Sequence, residues 1–309
     1  MKEMFDEKTR KIMDEVVRLK KEKDAIILAH LYQRPEVQEV ADYVGDSLGL
    51  ARTAAKTSAK VIVFAGVHFM AESAKILSPD KIVLLPEIDA GCPLADTITA
   101  ESLRAKKAQH PGAVVVTYVN SSAAVKAESD IICTSANAVK VVESIPSDKE
   151  IIFTPDQNLG NYVAKKTGRK LILWEGYCNT HQRLTPDDIR EAKAQYPNAK
   201  VLVHPECRPE VVALADGVFS TTGIINYVVN DPGDEFIIGT EAGIMHQLSK
   251  KAPHKKCYLA SPKLVCPNMK LTTIEKVKLS LETLEPQIEV EPEIAQKALQ
   301  ALEKMLAIG

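Results

Sequence analysis

The chain predicts an α/β protein of three homologous αβα domains, with small parallel sheets arranged around a pseudo-threefold axis. Three observations predict it. An ungapped repeat opens at Ala25, Ala113 and Ala199; apolar strand segments alternate with helical ones across short connections; and each repeat ends in a single cysteine.

Taken in chain order, the N-terminal segment is charged, with apolar residues at Met4, Phe5, Ile12, Met13, Val16, Val17 and Leu19, a helical spacing. The repeats then read AIILAHLYQRPEVQEVADYVGDSLGLARTA, AVVVTYVNSSAAVKAESDIICTSANAVKVV and AKVLVHPECRPEVVALADGVFSTTGIINYV. His30, Tyr118 and His204 share the position at the end of the first strand, and Tyr32, Asn120 and Glu206 stand two residues on. Val37, Val125 and Val211 align next, then Asp42, Asp130 and Asp216, then Ser47, Ser135 and Thr221. Each repeat continues with a second apolar strand (KVIVF, EIIF, EFIIG), a helix (MAESAKIL, NLGNYVAKK, AGIMHQLSKK) and a third strand (KIVLL, KLILW, KCYLA). KLILW reads as a buried strand. Linking helices TAESLRAKKAQHP, TPDDIREAKAQYP and TTIEKVKLSLETLEP follow, and EIAQKALQALEKMLAI forms a last amphipathic helix that packs back on the body. The domains therefore run 1–108, 109–196 and 197–309.

Composition narrows the partners. A formal net charge of -2 creates no field to attract nucleic acid or an anionic membrane. Neither a signal-peptide pattern nor an apolar run long enough to span a bilayer is present, so a cytoplasmic protein is expected. Of the cysteines at 92, 133, 178, 207, 257 and 266, none form Cys-x-x-Cys, and a reducing compartment disfavours structural disulfides. Any thiol chemistry requires the fold to assemble them.

Cys92 in DAGCPLAD, Cys178 in EGYCNTHQ and Cys266 in KLVCPNMK follow the last strand of each repeat. Ligands of open parallel sheets bind beyond the carboxyl ends of the strands, so three such ends facing one centre line a single site three times over. Two centres suit three converging thiolates. One is tetrahedral zinc with His181 as fourth ligand; the other is an iron–sulfur cubane with one iron open to substrate. The repeat favours the second, because it offers three equivalent ligands and no equivalent fourth. Cys133, Cys207 and Cys257 have no counterparts and read as core or incidental thiols.

Ser47, Ser135 and Thr221 precede helical patterns, where a hydroxyl caps a helix or helps bind an anion. His30 with Tyr32, and His204 with Glu206, fall on one side of an extended segment and combine anion recognition with proton transfer. Glu206 is the candidate base and Tyr32 a candidate acid. The three aligned aspartates read as structural. Phe64, Ala65 and Gly66, Thr154, Pro155 and Asp156, and Gly239, Thr240 and Glu241 end the middle strands and wall the cavity without an assignable role.

AHLYQRPEVQEVADYVGDSLGLA, GCPLAD, TYVNSSAAVKAESDIICTSANA, TPDQNLG, EGYCNTHQRL, HPEC, STTG, GTEAG and CPNMK, in this order, make the sequence resemble the quinolinate synthase family of NAD biosynthesis. The resemblance implies three αβα domains around a 4Fe-4S cluster held by Cys92, Cys178 and Cys266. It implies condensation of iminoaspartate with dihydroxyacetone phosphate to quinolinate, phosphate and water. His30, Tyr32, Ser47, Tyr118, Asn120, Ser135, His204, Glu206 and Thr221 carry over as substrate-binding positions, with His181 bordering the site. The catalytic set is Glu206, His204, Tyr32 and His30. Implied partners are an aspartate oxidase or dehydrogenase supplying iminoaspartate, and the iron–sulfur assembly machinery. Some members carry Cys-x-x-Cys-x-x-Cys around the third ligand. Here that region reads CYLASPKLVC, so no thiol–disulfide control carries over to Cys257. The alternatives are another open-iron hydro-lyase and a non-enzymatic iron–sulfur sensor, the latter having no use for so many polar residues around a cavity.

Overall fold

The computed structural model describes residues 5–308, so Met4 lies outside them. Among the described residues, twelve strands form three four-stranded sheets. The first holds β1 (Ala25–His30), β2 (Tyr43–Gly45), β3 (Val61–Ala65) and β4 (Ile82–Leu84) in the order β2-β1-β3-β4. The second holds β5 (Val114–Tyr118), β6 (Ile131–Cys133), β7 (Ile151–Thr154) and β8 (Ile172–Leu173) in the order β6-β5-β7-β8. The third holds β9 (Lys200–Val203), β10 (Gly217–Val218), β11 (Glu235–Gly239) and β12 (Lys256–Leu259) in the order β10-β9-β11-β12. Every ladder is parallel. The three αβα units of the sequence are thus realised with identical topology.

Each sheet gains a strand from the short segments DYVGD, DIICT and DGVFS, and the aligned aspartates explain how so short a strand holds. Asp42 Oδ2 accepts the backbone N–H of Ile27 at 2.8 Å, Asp130 Oδ2 that of Val115 at 2.8 Å, and Asp216 Oδ2 that of Val201 at 2.7 Å. The same aspartates donate their own N–H groups to the carbonyls of Ile27, Val115 and Val201. The carboxylate thereby extends the ladder where the edge strand has no backbone to offer. Val37, Val125 and Val211, five residues earlier, are fully buried beneath it. KLILW departs from expectation: only Ile172 and Leu173 pair, both half-buried, because β8 is the outer edge of its sheet.

Helices cover the sheets across the repeat boundaries. Leu103 of the helix Ala100–Gln109 packs with Val115 and Ile152 of the second sheet, and Ile189 of Pro186–Gln195 with Val201 and Ile237 of the third. Val277 and Leu281 of Ile274–Thr283 return to the first sheet, against Ile27 and Val63, beside Val16 and Leu19 of the N-terminal helix Glu7–Glu22. Each linking helix seals the sheet that follows it, and the last closes the ring. The C-terminal helix Pro292–Ile308 lies across the helices His68–Leu77 and Ala123–Ala127, bracing the first repeat against the second.

Because one bonded carboxylate supports each edge strand, Asp130→Ala should lower unfolding stability by about 1–2 kcal/mol in urea denaturation, and Asp216→Ala by a similar amount. Both variants matching the parent chain would remove this account of the aspartates.

Candidate active site

The carboxyl ends of the three sheets meet at one cavity lined by residues of all three repeats. The structure brings together every catalytic, substrate-binding and cysteine position expected from sequence, whereas the middle-strand ends expected to wall the cavity (64–66, 154–156 and 239–241) stand outside its lining. His30, Tyr32 and Ser47 line it from the first repeat, Tyr118, Asn120, Ser135 and His181 from the second, and His204, Glu206 and Thr221 from the third. Cys92, Cys178 and Cys266 line it too, each half-buried, while Cys133 and Cys207 are wholly buried elsewhere and Cys257 is half-buried on β12.

The reading of the hydroxyl residues as caps needs correcting. Asp46 caps the helix Ser47–Lys56 by accepting from Gly49 N–H, and Ser220 caps Thr221–Asn230 by accepting from Gly223 N–H. Ser47 and Thr221 therefore stand one residue inside their helices, where the cap is already supplied and their hydroxyls face the cavity lining. Ser135 lies in a turn three residues ahead of the helix Ala138–Glu143, its Oγ 3.1 Å from His204 Nε2.

A hydrogen-bonded chain crosses the cavity wall. Tyr32 Oη lies 2.6 Å from Thr240 Oγ1, Thr240 Oγ1 2.9 Å from His181 Nε2, and His181 Nδ1 3.2 Å from Glu206 Oε2. His204 Nδ1 adds a contact at 3.1 Å to the same Glu206 oxygen. Glu206 is 3% exposed. Burial opposes its ionisation, but hydrogen bonds from His181 and His204 overcome this and hold the carboxyl well below the usual carboxylate range. Its other oxygen, Oε1, is buried with no hydrogen-bond partner among the described residues. Burial and then the Glu206 charge raise Tyr32 and Tyr118 well above the ordinary phenol value, so both keep their protons. Burial pushes His30 down to about 3 and also lowers His204. His30 Nδ1 accepts the N–H of Tyr32, which leaves its proton on Nε2.

Donor counting gives the chain a direction. With Glu206 ionised, the His181 tautomer that carries its proton on Nδ1 donates to that carboxylate and accepts at Nε2. Thr240 has one proton, which goes to that nitrogen, and Tyr32 then donates to Thr240. Sequence reasoning placed Thr240 on the wall without a role; its signal was its place at the end of the middle strand, shared with Pro155 and Gly66.

Two buried carboxyl groups hold the cysteine loops. Asp156 Oδ2 accepts from Cys178 N–H at 3.1 Å, and Glu241 Oε1 from Cys266 N–H at 3.2 Å. Val67 occupies the equivalent place in the first repeat, where Asn268 Nδ2 instead donates to Gly91 O at 2.8 Å. A side chain at Gly176 would meet Pro155 O at 2.5 Å, so only glycine lets the Cys178 loop approach β7. Burial pushes the Cys92 thiol up to about 12, and also raises Cys178 and Cys266. Three such thiols become ligands only with a cation among them. Cys178, His181 and Glu206 present ligand atoms all within 4.8 Å of one another. His181, however, has Nε2 on Thr240 and Nδ1 on Glu206 and Cys178, so it stands as a neighbour of the cysteines more readily than as a fourth zinc ligand.

Fold and cavity together define a triplicated α/β protein with one polar centre shared by three repeats, furnished with three cysteines and a hydrogen-bonded chain. The family model of the quinolinate synthetase A protein, NadA, matches residues 14–307. Proteins named quinolinate synthase are similar along almost the whole chain. That of Methanoregula boonei is 58% identical over 300 residues, covering 97% of this chain and 99% of its own length. That of Geotalea uraniireducens is 59% identical over 297 residues, covering 96% and 97%, and that of Methanosarcina barkeri 54% over 297, covering 96% and 97%. The chain belongs to the quinolinate synthase family. Among the described residues, no helix is long and apolar enough to cross a membrane.

The buried neutral histidines set an acid-side response. His30 titrates near 3 when folded and near 6.5 when unfolded, so between these values the unfolded chain binds the extra proton and stability falls as pH falls. For one such group the slope is up to about 1.4 kcal/mol per pH unit. His30→Asn should therefore flatten the decline in unfolding free energy between pH 6.5 and 5. Parallel declines in variant and parent would show that His30 is protonated in the folded chain.

Proposed function

We propose that the chain condenses iminoaspartate with dihydroxyacetone phosphate, releasing phosphate and two waters to leave quinolinate, for NAD biosynthesis. The observation that carries this reading is the convergence of three cysteines and ten polar side chains from three repeats on one cavity in a member of this family. Cys92, Cys178 and Cys266 would hold a 4Fe-4S cluster. Bound there, it would supply an open iron as Lewis acid for substrate oxygen and for departing hydroxide.

The chain's own residues divide the remaining work. Both substrates are anions, and Ser47 and Thr221 stand in the first turns of ten-residue helices, where amides and the helix dipole favour negative charge. Ser135 and His204 form a bonded pair facing the same space and would bind a further carboxylate or phosphate oxygen. Asn120 and Tyr118 would orient the substrate chain. His30, neutral with its proton on Nε2, offers a donor that cannot compete as a cation.

The Tyr32 chain supports Tyr32 as the base. The Tyr32 hydroxyl donates away from the cavity, toward Thr240, and so presents lone pairs inward. A substrate proton taken up on Tyr32 Oη can be matched by transfer of the phenol proton to Thr240 and of the Thr240 proton to His181, beside ionised Glu206. Tyr32 then acts as a base relayed to Glu206, where sequence reading made it an acid; running the relay backwards returns the proton to a leaving hydroxide.

Purified without oxygen and supplied with both substrates, the protein should contain iron and sulfide and form quinolinate. A cluster-loaded protein making none would defeat the reading. Cys178→Ala should lose the cluster while Cys133→Ala keeps it, and equal iron in both would overturn the ligand assignment. Thr240→Val should lower kcat by about 100-fold, the scale of a lost general-base path, with Thr240→Ser restoring most of it. Equal rates for the two variants would exclude the relay.

A further inference from the structure

We propose that Lys270 and Asn158 are positioning residues for this reaction, each holding the backbone carbonyl of the active residue, Tyr32 or Glu206, that the adjoining repeat contributes. The inference rests on the roles proposed above for Tyr32 and Glu206.

At the seam between the first and third repeats, Lys270 stands four residues after Cys266. Its Nζ donates to the carbonyl oxygen of Tyr32 and lies 2.9 Å from Glu241 Oε1. Glu241, fully buried, accepts the Cys266 N–H on Oε1 and the Gly243 N–H on Oε2, the latter at 2.6 Å. Arg34 returns the contact, its Nε donating to Lys270 O at 2.8 Å. A side chain at Gly243 would come within 2.7 Å of the Tyr32 backbone, so the third repeat rests directly on it.

The seam between the second and third repeats repeats the plan with different residues. Asn158 Nδ2 donates to the carbonyl oxygen of Glu206 at 3.1 Å and to Gln182 Oε1 at 3.0 Å. Gln182 stands four residues after Cys178, as Lys270 does after Cys266, and Arg208 Nε donates to Gln182 O at 2.8 Å, as Arg34 does to Lys270. Tyr32 and Glu206 occupy one repeat position, and so do Arg34 and Arg208. Two unrelated side chains thus reach the same backbone atom from different places, Lys270 from the loop after the third cysteine and Asn158 from the start of the helix Gln157–Thr167, where the third repeat has Gly243. At the third seam the corresponding positions are Ser122 and Asp96, and there the C-terminal helix braces the first repeat against the second. A carbonyl held by an ammonium that is itself paired with a buried carboxyl group is fixed more firmly than one held by water. Small displacements of a reacting group are costly, and Tyr32 must keep its hydroxyl on Thr240 for the relay to run.

A double-mutant cycle on the cluster-loaded enzyme tests this. Lys270→Met should lower kcat by about tenfold or more with smaller changes in either KM, Lys270→Arg should recover part of the loss, and the penalty should shrink to under about twofold on the residual rate of Tyr32→Phe. Asn158→Ala should behave alike against Glu206→Gln, which serves if the lysine variant folds poorly. Additive losses in both cycles would overturn the proposal. So would a fall that follows iron content alone, since it would make these side chains supports of the metal centre only. Full activity in Tyr32→Phe would instead sink the reading of Tyr32, a separate failure.

Discussion

The buried charge of Glu206 is the constraint on which the rest of the centre depends. A carboxylate removed from water survives ionised only with close donors, and here two histidines from two repeats converge on one of its oxygens. Its field then orders its surroundings. It adds to burial in keeping Tyr32, Tyr118, Cys178 and Asp156 protonated. Under the proposed reading, the Glu206 charge among held protons sets the direction of transfer, with Thr240 and His181 as its path.

The fold supplies such a centre by closing a ring. No single sheet could bring a phenol, an imidazole and a carboxylate together from three directions. The linking helices hold neighbouring units in register, since each leaves one repeat and buries its apolar face on the sheet of the next. Seam contacts at the strand ends then convert that coarse register into atomic placement, by Lys270 at one seam and Asn158 at another.

Much of this was legible in the sequence because the repeat is ungapped. Aligned strand ends identified His30, Tyr118 and His204, and the residues two further on, without any contact being known. The aspartates at 42, 130 and 216 were legible as structural, though not their bond to the first strand, which depends on how an edge strand of two or three residues fails to pair fully. Ser47 and Thr221 were placed correctly and given the wrong local job, because a one-residue shift separates a cap from the first helical residue. Thr240, Glu241 and Lys270 stayed mute for a different reason. Their partners are remote in the chain, Tyr32 and His181 for Thr240, Cys266 and Lys270 for Glu241, and the Tyr32 carbonyl for Lys270, and no local pattern marks a threonine whose single proton must serve two neighbours.

Triplication also explains why the active positions differ among the repeats while the scaffold positions agree. Val37, Val125 and Val211 answer the same packing demand three times, and so do the three aspartates, each facing its own strand. The residues two beyond the first strand face each other across a single space. Three glutamates there could not all ionise, because each charge would raise the others' pKa as Glu206 already raises Asp156. The position therefore holds one acid, one phenol and one amide. Symmetry sets where side chains point, and electrostatics forbids them from being alike, so a shared cavity forces equivalent repeats to divide the chemistry.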